Sequence, residues 1–282
     1  MTIKAGVIGW PVAHSLSPVL HDYWLKQDRI DGSYEKIAAA PEDFAATIRR
    51  LRDEGYAGVN VTAPHKEAAF KLTAQRDGYA QLTGAANLLA FAGSGIFGRN
   101  TDAVGLYESL KESLGTNALE GKTIVLLGAG GAARGALLAL HDLKIGLVYL
   151  LNRNRQRAAS LASDLQTSIG TNIVFGGLED WKQAARESAL AINSTSAGMG
   201  STPPLDLDLS VLPQGAAVCD IVYHPLETQL LKDAKARGLK TIDGLGMLMH
   251  QAVPSFEAFF GARPEVTPGL RAALEAELKS RG

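Results

Sequence analysis

The sequence predicts an α/β protein of two domains, each organised around a mainly parallel sheet. Three observations lead there. The chain has 282 residues, longer than most single domains. Short apolar runs alternate with stretches of helical period, the pattern that builds parallel sheets with helical crossovers. Hydrophobic residues make up 46% and charged residues 20%, enough apolar surface for a sizeable core.

Taken in order, residues 4–9, 33–38 and 58–61 read as strands. A helix is expected between the first two, starting at Ser17-Pro18 with Ser17 as N-cap, because proline fits the first helical position. A second helix runs from Pro41 to about Glu54, closed by Gly55. Residues 86–91 and 96–99 flank Ala92-Gly93-Ser94-Gly95, a hairpin turn. Residues 102–114 return to helical period, with Leu106, Leu110 and Leu114 on one face, and this helix is expected to bridge the domains. A strand at 123–127 ends in Gly128-Ala129-Gly130-Gly131-Ala132-Ala133-Arg134. Further strands follow at 146–151, 173–176, 190–193, 217–222 and 240–243, with helical segments between most of them. Helices at 246–260 and 268–280 close the chain, and Ser201-Thr202-Pro203-Pro204 reads as a surface loop.

Several functional classes fall away. With 28 basic and 29 acidic side chains the net charge is -1, so no electrostatic argument favours nucleic acid or an anionic membrane surface. Cys219 is the single cysteine, which excludes an intrachain disulfide and a cysteine-based zinc site; its apolar neighbours make it a core residue rather than a reactive thiol. The six histidines show no ligand spacing, so no metal is expected. No charged-then-apolar leader and no membrane-length apolar run is present, and a cytoplasmic location is the expectation.

Gly128-x-Gly130-x-x-Ala133 follows a strand and opens a helix, as the dinucleotide-binding fingerprint of a Rossmann-type domain requires. Gly128 permits the tight turn, Gly130 lets the backbone approach a pyrophosphate, and Ala133 lets helix and strand pack closely. The alternative is a glycine-rich turn without a ligand. The next strand ends in Leu151-Asn152-Arg153-Asn154-Arg155-Gln156-Arg157, where an NAD site would carry an acid to hold the ribose 2′-hydroxyl. Three arginines stand there instead, fitted to a 2′-phosphate, and NADP is the expected cofactor. A solvated basic helix start is the competing reading, although arginines at a helix N-terminus oppose its dipole.

In the first third, Ser15 and Ser17 bring two hydroxyls to a helix entrance, a setting for a small carboxylate; simple capping by Ser17 would leave Ser15 unexplained. Asn60-Val61-Thr62-Ala63-Pro64-His65-Lys66 follows a strand, Asn87 follows Gly84-Ala85-Ala86, and Gly98-Arg99-Asn100-Thr101-Asp102 opens the bridging helix. Singly, each has a plainer role: Lys66 as a solvated lysine, Asn87 as a turn residue, Asp102 as an N-cap.

Together these runs resemble the shikimate dehydrogenase family. Gly9-x-Pro11-x-x-His14-Ser15-x-Ser17-Pro18, Asn60-Val61-Thr62-x-Pro64-x-Lys66, Gly98-x-Asn100-Thr101-Asp102, Gly128 to Arg134, Asn152-Arg153, and Asp243-Gly244-x-Gly246-Met247-Leu248 with Gln251 stand in that family's order and spacing, across essentially the whole chain. The resemblance implies an NADP-dependent oxidoreductase that interconverts 3-dehydroshikimate and shikimate on the route to chorismate and aromatic amino acids. It implies Lys66 and Asp102 as the catalytic pair, Ser15 and Ser17 at the substrate carboxylate, Thr62, Asn87 and Gln251 at the ring hydroxyls, and Tyr223 at the border of substrate and nicotinamide. Gly128, Ala129, Gly130, Gly131 and Ala132 would line the pyrophosphate, Asn152, Arg153 and Arg157 the adenosine phosphate, and Gly244 and Met247 the nicotinamide. Asp22 and Asn154 depart from the family's usual asparagine and threonine; the second touches the cofactor clamp and softens the NADP preference slightly.

The expected organisation is a discontinuous substrate domain, 1–102 plus 246–282, and an NADP-binding domain, 103–245, with the active site in the cleft between them and hinge points at the crossings. A monomer or homodimer is expected. Two readings compete: an NAD-using quinate/shikimate dehydrogenase, and a non-catalytic NADPH- or metabolite-sensing protein on the same fold. Methylenetetrahydrofolate dehydrogenases share the two-domain plan and a lysine but lack the paired serines and the Asn-Thr-Asp run.

Overall fold

The computed structural model describes residues 2–93 and 95–281, so the tip of the expected hairpin, at Ser94, lies outside the described residues. The chain divides into two compact units. One comprises the residues up to Asp102 together with those from Leu248 onward; the other is Ala103–Met247. Both crossings fall inside helices.

The first unit carries β1 (Ile3–Gly9), α1 (Ser17–Gln27), β2 (Gly32–Ala38), α2 (Phe44–Asp53), β3 (Tyr56–Val61), α3 (Lys66–Leu72), β4 (Gln75–Arg76), α4 (Gly78–Thr83), β5 (Leu88–Ala92) and β6 (Gly95–Arg99). Its six strands lie in the order β2-β1-β3-β5-β6-β4. The strands β1, β2 and β3 run parallel, while β5 is antiparallel to both β3 and β6. Alternation along the strands sorts the side chains by face. Ile8, Ile37, Val59 and Val61 bury against Phe44, Ile48 and Leu51 of α2. Gly58 points the other way, where the Phe259 ring and the Leu89 carbonyl leave no room for a side chain. That second face is covered by α1 and by the later part of α10 (Gly244–Phe260), whose Phe256 meets Trp24 edge-on at 5.4 Å. Finally α11 (Pro268–Ser280) packs beside α1.

The second unit begins within α5 (Asp102–Leu114) and continues through β7 (Thr123–Leu127), α6 (Gly131–Asp142), β8 (Leu147–Leu151), α7 (Arg155–Ile169), β9 (Asn172–Gly176), α8 (Trp181–Ala185), β10 (Leu190–Asn193), β11 (Ala217–Asp220), α9 (Gln229–Ala236) and β12 (Lys240–Ile242). Six strands in the order β12-β11-β10-β7-β8-β9 are parallel throughout. This is the doubly wound Rossmann order, with the chain reversing direction across the sheet between β7 and β10.

Three local expectations are corrected. Ser17 is not the N-cap of α1: Leu16 holds that position in helical geometry, no side chain caps it, and Ser17 is the first helical residue. The second helix starts at Phe44 instead of Pro41, because 41–43 form a separate turn before the apolar face of α2 begins. The short elements α3, β4 and α4 are absent from the sequence reading, since runs of two to seven residues carry too little periodicity to register.

Candidate active site

The first unit brings four of the expected residues into one hydrogen-bonded group. Lys66 is the first residue of α3, reached from the end of β3 by the turn at 62–65. Asp102 is the first residue of α5. Lys66 Nζ donates to Asp102 Oδ2 at 2.5 Å, with the lysine side chain 22% exposed and the aspartate 2% exposed. One end of this pair is therefore fixed and dry, while the other reaches solvent. Asn87 Nδ2 donates to the remaining oxygen, Asp102 Oδ1, at 2.8 Å, and lies 3.4 Å from Gln251 Oε1. Asp102 opens its helix while committing both carboxylate oxygens to Lys66 and Asn87, and Asn87 is buried in a bend just before β5.

The surroundings hold this group in place. Asn87 Oδ1 accepts from the backbone N–H of Thr101 at 2.8 Å, and the Asn87 amide bonds its main chain to Arg99. Asn100 Oδ1 accepts from the Asp102 N–H at 3.1 Å, while its own amide donates to the Ala85 carbonyl. Sequence reasoning quoted Asn100 and Thr101 without giving them a role. The signal was present, because an asparagine two residues before an aspartate forms such a turn readily. On β3, Asn60 Nδ2 donates to the Asn87 carbonyl and to Ser255 Oγ, and Tyr34 donates its hydroxyl to Asn60 Oδ1 at 2.7 Å. Nothing in the sequence singled out Tyr34 or Ser255, whose relevance arises only from sheet register.

Thr62 directly follows β3, and its methyl group occupies the space where a side chain on Gly9 would sit, which explains the glycine. The segment after Gly9 carries the serines. Ser15 Oγ accepts from the Ser17 N–H at 3.2 Å, and both serines remain partly exposed. Their loop is held by two cations: Lys36 Nζ donates to the Ala13 carbonyl at 2.5 Å and Arg281 to the His14 carbonyl at 3.0 Å.

The second unit builds its own site at the carboxyl ends of its strands. Gly128, directly after β7, adopts φ +113°, a conformation that favours glycine; Ser194 and Thr195 also crowd it. A side chain at Gly130 would meet nothing within 4 Å, so the turn leaves open space over the N-terminus of α6, as a pyrophosphate cradle requires. Ala129 lies in that turn, and Gly131 and Ala132 are the first two residues of α6. After β8, Asn154 caps α7 through its Oδ1, accepting from the Arg157 N–H at 3.2 Å. The three arginines separate into two kinds. Arg155 is committed to Asp180 at 3.0 Å, whereas Arg153 and Arg157 are exposed and have no acidic partner among the described residues. Two free guanidinium groups with no acid at the strand end fit an NADP 2′-phosphate. Asn152 turns its amide to the Asn154 carbonyl. Tyr223 follows β11, and Gly244 and Met247 open α10.

Comparison with known proteins matches residues 7–89 to a shikimate dehydrogenase substrate binding domain and residues 109–200 to a shikimate / quinate 5-dehydrogenase domain. A curated relative from Paramagnetospirillum magneticum, shikimate dehydrogenase (NADP(+)), is 47% identical over 272 residues, covering 95% of this chain and 96% of its own. The chain belongs to the shikimate dehydrogenase family. Among solved members, the enzyme of Thermus thermophilus in complex with NADP(H) and shikimate is 35% identical, with a TM-score of 0.84 and 99% of each chain covered. A quinate dehydrogenase from Corynebacterium glutamicum in complex with NAD is 28% identical, with a TM-score of 0.88 and 99% of each chain covered. Among the described residues no group of histidine, cysteine and acidic side chains could hold a metal, and no helix is long and apolar enough to cross a membrane.

Proposed function

We propose that this chain is an NADP-dependent shikimate dehydrogenase, reversibly reducing 3-dehydroshikimate to shikimate on the route to chorismate. The observation that carries the reading is the Lys66–Asp102 pair, 2.5 Å apart and braced by Asn87, in a chain of this family. When bound, the dinucleotide supplies the hydride; the protein has to orient the ketone and deliver one proton. Lys66 Nζ donates that proton to the C3 oxygen, and Asp102 orients the amine and accepts a hydrogen bond from the resulting hydroxyl. The 22% exposure of the lysine lets solvent return the proton after each turnover. In the opposite direction Lys66 takes the hydroxyl proton. Ser15 and Ser17 hold the substrate carboxylate, Thr62, Asn87 and Gln251 its hydroxyls, and Tyr223 borders the reacting ring. Arg153 and Arg157, with Asn152, hold the 2′-phosphate; Gly128 to Ala132 accommodate the pyrophosphate; Gly244 and Met247 line the nicotinamide.

In this reading the substrate domain is 1–102 plus 246–282 and the NADP domain is 103–245. The enzyme works in the cytoplasm as a monomer or homodimer and has no nucleic-acid partner. The test offers the purified chain shikimate or quinate, each with NADP and with NAD, and follows nicotinamide absorbance. Highest kcat/KM with shikimate and NADP is expected. Preference for quinate with NAD would replace the assignment with the sister activity, and no turnover of either would leave a binding protein.

A further inference from the structure

Asp220, the last residue of β11, is fully buried, and among the described residues no cation pairs with it. Burial pushes its carboxyl above the usual range, while bonds from Thr228, the Val222 N–H and Asn193 pull the other way. An enclosed carboxylate is costly unless its lone pairs are used. Here they are. Oδ1 accepts from Asn193 Nδ2 at 2.9 Å and from the Val222 N–H at 3.0 Å, and Oδ2 accepts from Thr228 Oγ1 at 2.7 Å. Asn193 closes β10 and extends the network, its Oδ1 accepting from the N–H and the hydroxyl of Thr195 at 3.0 and 2.7 Å. Thr228 is the N-cap of α9. One side chain therefore fixes the loop after β10 and both ends of the segment from 221 to 228, which contains Tyr223.

These two loops press on Gly128 and Gly244, the glycines that the NADP reading assigns to the pyrophosphate and the nicotinamide. A methyl group on Gly128 would lie 2.8 Å from Ser194 Oγ and 2.9 Å from Thr195 Cγ2. One on Gly244 would collide with the carbonyls of Ile221 and Val222. The half built from β7, β8 and β9 carries the fingerprint and the free arginines, and so serves the adenosine end. That leaves the half built from β10, β11 and β12 for the other mononucleotide, across the switch point.

We propose that Asp220 is a positioning residue for the nicotinamide half of the cofactor, tying the β10 and β11 loops into one rigid wall. The inference rests on the NADP reading above. Asp220→Asn keeps the volume but puts an amide N–H where the Thr228 hydroxyl had its acceptor, so one buried donor loses its partner. Thr228→Val keeps the side-chain shape while removing the donation to Asp220 and the cap bond from the Leu231 N–H, and it carries the test should the first variant not fold. Binding is measured by fluorescence titration with NADPH and by calorimetry with adenosine 2′,5′-bisphosphate, which lacks the nicotinamide half. Asp220→Asn is expected to weaken NADPH about tenfold, the effect of one mispaired buried hydrogen bond, and to leave the bisphosphate within about twofold. Thr228→Val should show the same pattern at smaller size. A general loosening of the domain would weaken both ligands equally and overturn the proposal, as would unchanged NADPH affinity in both variants. A wild-type chain that binds neither ligand overturns the cofactor reading itself, a distinct result.

Discussion

Lys66 and Asp102 illustrate how little of a site's chemistry belongs to any one residue. Alone, the lysine is a surface cation and the aspartate a helix-start acid; at 2.5 Å, with Asn87 on the second carboxylate oxygen, they form the pair to which the proposed mechanism gives the proton transfer. Lys66→Ala or Asp102→Asn should lower kcat by roughly 10²–10⁴ with smaller changes in KM, as steady-state kinetics will read. Near-normal kcat in either variant would remove that residue from the chemistry. The arginines after β8 make a sharper contrast, because three look alike in sequence and differ in space. Arg153→Ala or Arg157→Ala should raise KM for NADP about tenfold and leave KM for NAD unchanged, the loss of one charge-assisted bond to a 2′-phosphate. Arg155→Ala, already paired with Asp180, should change neither by more than about twofold. Equal effects from all three would point to a diffuse field instead of a clamp.

At the level of elements, the strands and long helices were legible because their periodicity is strong, and α11 begins and ends at the residues expected. The hydroxyl of Ser17 does not cap α1, although its residue type suits a cap, because the chain enters the helix one residue earlier. Glycines on the strands record packing that pattern alone does not reveal. Gly58 lies beneath Phe259 and against the Leu89 carbonyl, and neither backbone nor a buried ring yields readily. Gly58→Ala should cost about 1–3 kcal/mol in urea unfolding, the usual penalty of overpacking, with the unfolding slope unchanged. Gly130→Ala, facing open space, should cost little stability yet weaken dinucleotide binding, so the pair separates packing glycines from ligand glycines.

For the molecule as a whole, pH enters through a buried histidine that the sequence did not mark. His21 stacks on Tyr34 at 3.7 Å, its Nδ1 meets the Ser17 carbonyl, and its Nε2 has no partner among the described residues. Burial holds its pKa down to about 3 from an ordinary 6.5, against a smaller opposing pull from the Ser17 carbonyl. The unfolded chain thus takes up a proton near pH 6.5 that the folded chain refuses until about pH 3. The stabilisation from the neutral ring is complete above the upper value and declines by about 1.4 kcal/mol per pH unit on acidification between the two. Urea unfolding of the wild type and of His21→Leu, compared at about pH 7 and about pH 4.5, should show a steeper decline in the wild type. Parallel declines would assign the acid sensitivity to other groups. Cys219 behaves oppositely: burial and the neighbouring carboxylates push its thiol up, in keeping with a core residue.

The sequence by itself determined the alternation of strands and helices, the fingerprint at Gly128, the basic strand end, and the residues Lys66, Asp102, Asn87 and Gln251. Each is written in local spacing or in runs that stay together along the chain. Only the tertiary structure decided which of them meet, which arginines stay free, and that Tyr34 and Ser255 join one hydrogen-bonded network and Asn193, Asp220 and Thr228 another. Hydrogen bonds between residues as far apart as Asn60 and Ser255, 195 positions along the chain, depend on sheet register and helix packing, which no local pattern encodes.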